Sequence, residues 1–235
     1  MAHFILIPGL WLDAGSWHEV TPPLVAAGHS THSLTLPNDR ETTLQDWVDA
    51  VVLAIDSAPE PPVLVGHSAG CGLAYAAADA RADAVRHLVL IGGFPLPDGM
   101  PLLDQQFPDA EGFVSLPDFS AFGPADLAGL DDAALDQFRA NAVSVPAQVL
   151  AGTLHLSHPE RHYIPLTAVC TEYSTADLTD WIKAGFPPTT EFPHFADASY
   201  IDLSTGHWPQ FSRPEDAAKI LLRINEQPTS ATTCN

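Results

Sequence analysis

A short apolar run followed at once by a glycine-flanked serine constrains the fold of this chain more than any other stretch. Val63-Leu64-Val65 is typical of a buried β-strand, and Gly66-His67-Ser68-Ala69-Gly70 follows it without a spacer. A helical pattern of small residues over Leu73 to Ala80 comes next. This order of strand, tight turn and helix lifts a serine hydroxyl above the edge of a sheet, beside the unpaired N–H groups of a helix N-terminus.

The chain of 235 residues alternates strand-like runs with helical patterns, and its length suits one α/β domain. Strands are predicted over residues 3–7, 29–34, 63–65, 85–91, 165–170 and 199–203, and helices over residues 16–27, 43–55, 73–80, 176–184 and 213–224. Apolar strands separated by helices are typical of a parallel sheet covered on both faces. We therefore expect an α/β fold with a mostly parallel central sheet flanked by helices.

Residues 94–163 interrupt this alternation. The segment is rich in Pro, Asp and Phe, with helical patterns near 131–142 and 146–152 and no convincing strand. We expect a helical cap, the cap segment, inserted into a core of residues 1–93 and 164–235. A cluster of His155, His158, Arg161 and His162 near its end is interpreted as a hinge between cap and sheet, and not as a metal site.

The charge balance is strongly acidic, with 29 Asp and Glu against 9 Lys and Arg and a formal net charge of −20. Such a charge disfavours phosphate backbones and anionic lipid surfaces as partners. We therefore expect no nucleic-acid or membrane partner, and a monomer or homodimer that acts on a small molecule.

The cysteines and the N-terminus favour a cytoplasmic protein. Cys71, Cys170 and Cys234 have no metal-ligand spacing and leave one cysteine over, which is typical of a reducing compartment. The apolar run Phe4–Leu6 is too short for a signal peptide, and no stretch has the length of a membrane span. The polar tail from Gln227 is expected to fray.

A serine hydroxyl becomes a useful nucleophile only when a base within hydrogen-bond reach takes its proton. His207 is the predicted base for Ser68, because it follows the last strand at the same sheet edge as the serine. A developing oxyanion also needs backbone N–H donors. Ala69 is predicted as one donor, and Leu10, or else Trp11, as the other, in the loop that Gly9 lets turn sharply after the first strand.

These motifs resemble the α/β-hydrolase superfamily, and in particular the small branch that contains plant methyl-ester esterases and hydroxynitrile lyases. The matching stretches are Ile7–Trp11, Gly66–Gly70, Cys170–Glu172 and Gly206–His207, and the resemblance is weakest through the cap segment. It implies an eight-stranded type of sheet, a cap over the pocket, acyl-transfer chemistry and no cofactor. A lyase would be expected to carry lysine after the base, where this chain has Trp208.

The acidic partner of the base departs from the resemblance. Related proteins place this acid at the position of Tyr173, and here Glu172 stands immediately before it. Glu172 is the predicted acid, because its longer side chain adds one methylene of reach. Asp177 is the second candidate, although an acidic residue there also suits the first turn of the next helix. A different acid, or none, is the remaining alternative.

The sequence therefore predicts a serine hydrolase for carboxylic esters or lactones of small apolar molecules, with Ser68, His207 and Glu172 as the catalytic residues. Trp11, His67, Phe94 and Trp208 are predicted to line the substrate pocket, and no metal is expected. Two alternatives stay open: a ligand-binding α/β-hydrolase with little or no turnover, and a cofactor-free lyase or oxygenase that uses the same Ser/His pair.

Overall fold

The structure is a computed structural model that describes residues 1–104, 107 and 109–226. The predicted fraying tail from Gln227 and the third cysteine, Cys234, lie outside these residues. The strands are β1 (His3–Ile7), β2 (Ser30–Ser33), β3 (Val63–His67), β4 (His87–Ile91), β5 (Phe113–Val114), β6 (Val145–Pro146), β7 (Leu166–Cys170) and β8 (Ala198–Asp202). The α-helices are α1 (Thr21–Ala26), α2 (Leu44–Asp56), α3 (Ala69–Ala80), α4 (Asp132–Asn141), α5 (Ala147–Ala151), α6 (Thr175–Ala184), α7 (Pro209–Ser212) and α8 (Pro214–Glu226).

Within the described residues, six strands form one parallel sheet in the order β2-β1-β3-β4-β7-β8. This confirms the predicted α/β class and parallel sheet. The expectation of an eight-stranded sheet is wrong. That number came from the family resemblance alone, whereas the sequence itself offers six strand-like runs outside the cap segment.

Alternate side chains of the strands supply two separate cores, one on each face of the sheet. Ile5 and Leu64 pack in a cluster that includes residues of α2 and α3. Phe4 and Val65 belong to a second cluster that includes Leu24 of α1 and Leu221 of α8. Burial on both faces explains why these strands are apolar throughout and show no polar alternation.

Helix ends follow local signals that the sequence carries. Thr43 caps α2 in a capping box with Asp46, and Ser174 caps α6 in a second box with Asp177. Gly185 ends α6 in the left-handed conformation, as its position predicts. The predicted helix over 16–27 divides into a 3₁₀ turn at Ala14–Trp17 and α1, whose prolines occupy the first turn.

The cap segment lies between β4 and β7 in the chain. It contains α4 and α5 near the predicted positions, and also a two-stranded antiparallel ribbon of β5 and β6. The expectation that it holds no strand is therefore wrong, because two-residue strands are too short to produce a recognisable alternation. The division into core and cap stays a prediction.

The end of the cap segment is tied to α3 by buried charges. Arg161 donates to Asp79 Oδ1 and to Glu191 Oε2, both at 3.0 Å, and its Nε donates to Tyr75 Oη at 2.7 Å. His162 Nε2 lies 3.0 Å from Glu191 Oε2. The predicted cluster thus holds ion pairs at this junction, while its role as a hinge stays a prediction.

Candidate active site

Ser68 occupies the turn between β3 and α3 in a strained backbone conformation. Its φ is 53° and its ψ is −124°, and its N–H donates to Ile91 O at 2.9 Å. A Cβ on Gly66 would lie 2.5 Å from Gly70 O, so only glycine allows the strand and helix to approach this closely. The turn has the strand–serine–helix geometry that the motif predicts.

His207 lies in the loop after β8, and its side chain contacts Ser68. Its Nε2 is 2.8 Å from Ser68 Oγ. The main chain of His207 is held at both polar groups: its N–H donates to Asp126 O at 2.7 Å, and its carbonyl accepts from His67 Nε2 at 2.7 Å. The predicted nucleophile and base are therefore within hydrogen-bond distance of each other.

Glu172 follows the end of β7 and contacts the other side of the same imidazole. Its Oε1 lies 2.8 Å from His207 Nδ1, and its Oε2 accepts from the Thr171 hydroxyl. Burial alone would raise the pKa of Glu172, but the hydrogen bonds from His207 and Thr171 outweigh it and lower the pKa. The carboxylate thus stays ionised and able to accept from Nδ1–H.

The other residues considered for the acid have different partners. Asp177 is exposed and accepts from Ser174 N at 2.9 Å and from Ser174 Oγ at 2.6 Å, as the cap of α6 requires. These bonds lower its pKa. Tyr173 packs its ring against Phe94 and Trp181, with centroid distances of 5.7 and 5.1 Å. Glu172 is the carboxylate that meets His207.

The candidate oxyanion donors stand at the two loops that flank Ser68. Ala69 N–H belongs to the first turn of α3, and Leu10 N–H belongs to the loop after β1. Neither N–H donates to another described residue. The loop after β1 turns over residues 9–12, where Leu12 N–H donates to Gly9 O at 3.4 Å. The residue with a positive φ in this turn is Trp11, at 62°, and not Gly9.

A cavity of about 310 Å³ opens over Ser68. Apolar and aromatic side chains dominate its lining: Leu10, Trp11, Phe94, Leu96, Leu102, Leu103, Phe107, Phe122 and Trp208. Among the described residues of the lining there is no Lys or Arg, whereas Asp126 and Glu172 both contribute to it. The space therefore suits a small, largely apolar molecule without negative charge.

The four predicted pocket residues all belong to the lining of the cavity, but they differ in the groups that they leave free for a bound molecule. Trp11, Phe94 and Trp208 present rings around the cavity, and Trp208 also stacks edge-on against Phe122 at 5.2 Å. His67 belongs to the lining, but its side chain is 0% exposed and both ring nitrogens are hydrogen bonded. Its imidazole has no free nitrogen to offer a bound molecule.

Three residues that support the catalytic groups by hydrogen bonds were not predicted from the sequence. Asp126 holds His207 through a backbone carbonyl, which no side-chain pattern reveals. Thr171 and Gln210 act through hydrogen bonds to Glu172 and His67. Thr171 could have been found, since it stands beside the predicted acid.

In the described part of the chain, no three His, Cys, Asp or Glu side chains are grouped so that they could hold a metal ion. No described helix has the length and apolar character needed to cross a membrane.

Comparison with known proteins gives one family and many similar folds. Residues 4–220 match the sequence model described as the alpha/beta hydrolase family. No curated protein matches the sequence significantly.

Several solved structures superpose over nearly the whole chain. One is an extracellular alpha/beta-hydrolase from a Paenibacillus species, described as sharing structural and functional homology with tobacco salicylic acid binding protein 2. It has a TM-score of 0.77 and 21% sequence identity, and the match covers 97% of this chain and 100% of that protein. The methylesterase MES16 from Arabidopsis has a TM-score of 0.73 and 16% identity, covering 96% of this chain and 99% of its own. Polyneuridine aldehyde esterase has a TM-score of 0.71 and 17% identity, covering 96% and 100%. Because these sequence identities are low, the similarity shows a shared fold and does not by itself show a shared activity.

Proposed function

Because the chain belongs to the alpha/beta hydrolase family, we propose that it is a serine hydrolase that cleaves carboxylic esters or lactones of small apolar molecules. One observation carries the proposal: two hydrogen bonds of 2.8 Å link Ser68 Oγ to His207 Nε2 and His207 Nδ1 to Glu172 Oε1. Two of the similar structures are described as esterases, which supports an ester as the substrate.

The first half of the reaction acylates the serine. Ser68 Oγ attacks the carbonyl carbon while its proton passes to His207 Nε2, and Glu172 stabilises the imidazolium that forms. The N–H groups of Ala69 and Leu10 hold the negative oxygen of the tetrahedral intermediate. The tetrahedral intermediate then collapses. Its bond from carbon to the leaving oxygen breaks, and that oxygen takes the proton from His207 to become an alcohol.

The second half returns the enzyme to its starting state. A water molecule gives a proton to His207 Nε2 and attacks the acyl carbon, so that a second tetrahedral intermediate forms in the same oxyanion site. Its collapse breaks the bond to Ser68 Oγ, which recovers the proton from His207. The carboxylic acid is released, and neither metal nor redox chemistry enters either step.

The lining of the cavity limits the substrate in size and charge. A volume of about 310 Å³ is at the small end of ligand sites. Asp126 and Glu172 disfavour a carboxylate on the substrate, and no described lining residue offers a cation to pair with it. Neutral esters with small apolar groups are therefore the proposed substrates.

A panel of neutral methyl esters and lactones tests the proposal, with Ser68→Ala as the inactive control. The panel includes one pair of equal size in which the second ester carries a free carboxylate. We expect kcat/KM at least about tenfold higher for the neutral member, which corresponds to a 1.4 kcal/mol difference. Asp126→Asn should narrow this ratio, because asparagine removes the charge but still accepts from Gly123 N–H.

Two results would contradict the proposal. Hydrolysis by Ser68→Ala at the wild-type rate would remove Ser68 from the mechanism. A folded wild-type protein that hydrolyses no ester or lactone but binds members of the panel would instead favour a ligand-binding protein.

A further inference from the structure

His67 is the last residue of β3, directly before Ser68, and its imidazole is completely buried. The mechanism proposed above does not use it. Its Nε2 lies 2.7 Å from the carbonyl oxygen of His207, 140 residues further along the chain. Its Nδ1 lies 3.2 Å from Gln210 Nε2. Gln210 lies in α7 and is only 1% exposed. His67 therefore contacts the main chain of the predicted base, and Gln210 contacts His67 from behind.

The partners of His67 determine where its proton lies. A carbonyl oxygen can only accept, so His67 Nε2 carries the hydrogen and donates it to His207 O. Burial, together with the neighbouring His207, lowers the pKa of His67 to about 3, so the ring is neutral near pH 7. Nδ1 is then without a proton and accepts from the Gln210 amide N–H. Each of these two hydrogen bonds requires the same tautomer.

Contacts around the imidazole leave it little room to turn. Trp17 meets the His67 ring edge-on with centroids 6.4 Å apart, and the His207 ring lies 5.1 Å away. Glu172 is a charged group that faces the His67 and His207 rings, and it is hydrogen bonded to Nδ1 of His207. The hydrogen-bond donor of His67 is thus aimed at one atom, the carbonyl oxygen of His207.

The base is consequently fixed from two independent elements. The cap segment holds its N–H through Asp126 O at 2.7 Å, and the sheet holds its carbonyl through His67. With the peptide groups on both sides of Cα restrained, the side chain keeps Nε2 at Ser68 and Nδ1 at Glu172. Displacements near 1 Å at such a site can cost about 100-fold in rate.

We propose that His67 and Gln210 are positioning residues that hold His207 in register for proton transfer, His67 through the His207 carbonyl and Gln210 through His67. Both side chains are buried, so we place neither in contact with the substrate. The proposal rests on the proposed function, because it assigns to the pair a part in the same Ser68–His207 chemistry.

Two replacements of His67 separate the hydrogen bond from mere packing. His67→Gln keeps an N–H donor at about the reach of Nε2, whereas His67→Met fills the space without a donor. We expect His67→Met to lower kcat for a neutral ester at least about tenfold, with KM changed less than about twofold. His67→Gln should recover most of this loss.

His87 offers a control for the loss of a histidine from the sheet, although it is only partly buried. It stands at the opposite end of the neighbouring strand β4, and its Nε2 is 2.9 Å from Thr167 Oγ1. Its pKa is lowered to about 4 by burial, so it too is neutral at pH 7. His87→Met should leave kcat and KM at their wild-type values although it lowers the stability.

The order of action within the pair is tested by a double-mutant cycle. Gln210→Met should lower kcat less than His67→Met does, because His207 O alone still favours the Nε2–H tautomer. The double variant should be no slower than His67→Met, since Gln210 acts through His67. Independent, multiplicative losses would show that the two residues do not act in series.

A measurement that needs no substrate tests the positioning of His207 separately from the proposed function. The Nδ1 proton of His207, which is hydrogen bonded to Glu172, is expected to give a proton NMR resonance downfield of the amide protons. We expect its resonance in wild type and His67→Gln, and its loss through exchange in His67→Met. If the wild type shows the resonance and His67→Met loses it, but the wild type cleaves no ester, the proposed function fails and the positioning role stands. An unchanged resonance and unchanged kcat in folded His67→Met would overturn the inference.

Discussion

At the scale of single residues, Glu172 illustrates how side-chain length compensates for position. The carboxylate stands one residue before the position at which the resemblance places it, yet Oε1 reaches His207 Nδ1 at 2.8 Å. Thr171 binds the second oxygen and so restricts rotation of the carboxylate. Tyr173, at the expected position, buries its ring among aromatic side chains.

Glu172→Gln is expected to lower kcat/KM by about 10³ or more, because the amide no longer stabilises the imidazolium or secures the correct tautomer of His207. Asp177→Asn is the matched control: it makes the same charge change five residues away, where the carboxylate only caps α6. Its kcat/KM should stay within about twofold of wild type. Steady-state kinetics on a neutral ester measure both values, and a greater loss in Asp177→Asn would transfer the acid's role to Asp177.

At the scale of elements, the helices and strands of the core were largely predictable. β3, the serine turn and α3 follow from a β-branched run, two glycines and a stretch of small residues, each of which acts locally. Capping boxes at Thr43 and Ser174 similarly mark the starts of α2 and α6. Each of these signals lies within a few consecutive residues. It can therefore be recognised in a single sequence without knowledge of the fold.

The cap segment and the supports of the base were less predictable for the opposite reason. β5 and β6 pair residues more than thirty positions apart over only two residues each. Asp126, Gln210 and the tautomer of His67 matter through contacts with residues distant in the chain. Long-range contacts of this kind depend on the completed fold and leave no periodic signal in the sequence.

At the scale of the whole molecule, two histidines that are neutral in the folded chain link stability to pH. The pKa of His67 is lowered to about 3 and that of His87 to about 4, mainly by burial, against an ordinary value of 6.5. Below pH 6.5 the unfolded chain therefore binds protons that the folded chain does not. The free energy of unfolding must fall as the pH falls from 6.5 towards these lowered pKa values.

His67→Gln removes one of these linked groups. Between pH 7.5 and pH 5, we expect the free energy of unfolding of the variant to fall by about 2 kcal/mol less than that of the wild type. Urea denaturation at the two pH values measures the difference, and the wild type and the variant are compared under identical salt. Equal falls in both proteins would mean that His67 is protonated in the folded state at pH 5.

Labelling with a fluorophosphonate, followed by mass spectrometry of the digested protein, would show whether Ser68 is an activated nucleophile. The probe reacts with a serine whose hydroxyl has a base at hand and an oxyanion site beside it. We expect rapid labelling of one residue per chain, on the peptide that contains Ser68, and none at that level in Ser68→Ala. If the folded wild-type protein stays unlabelled, or if Ser68→Ala is labelled to the same extent, Ser68 is not the activated nucleophile.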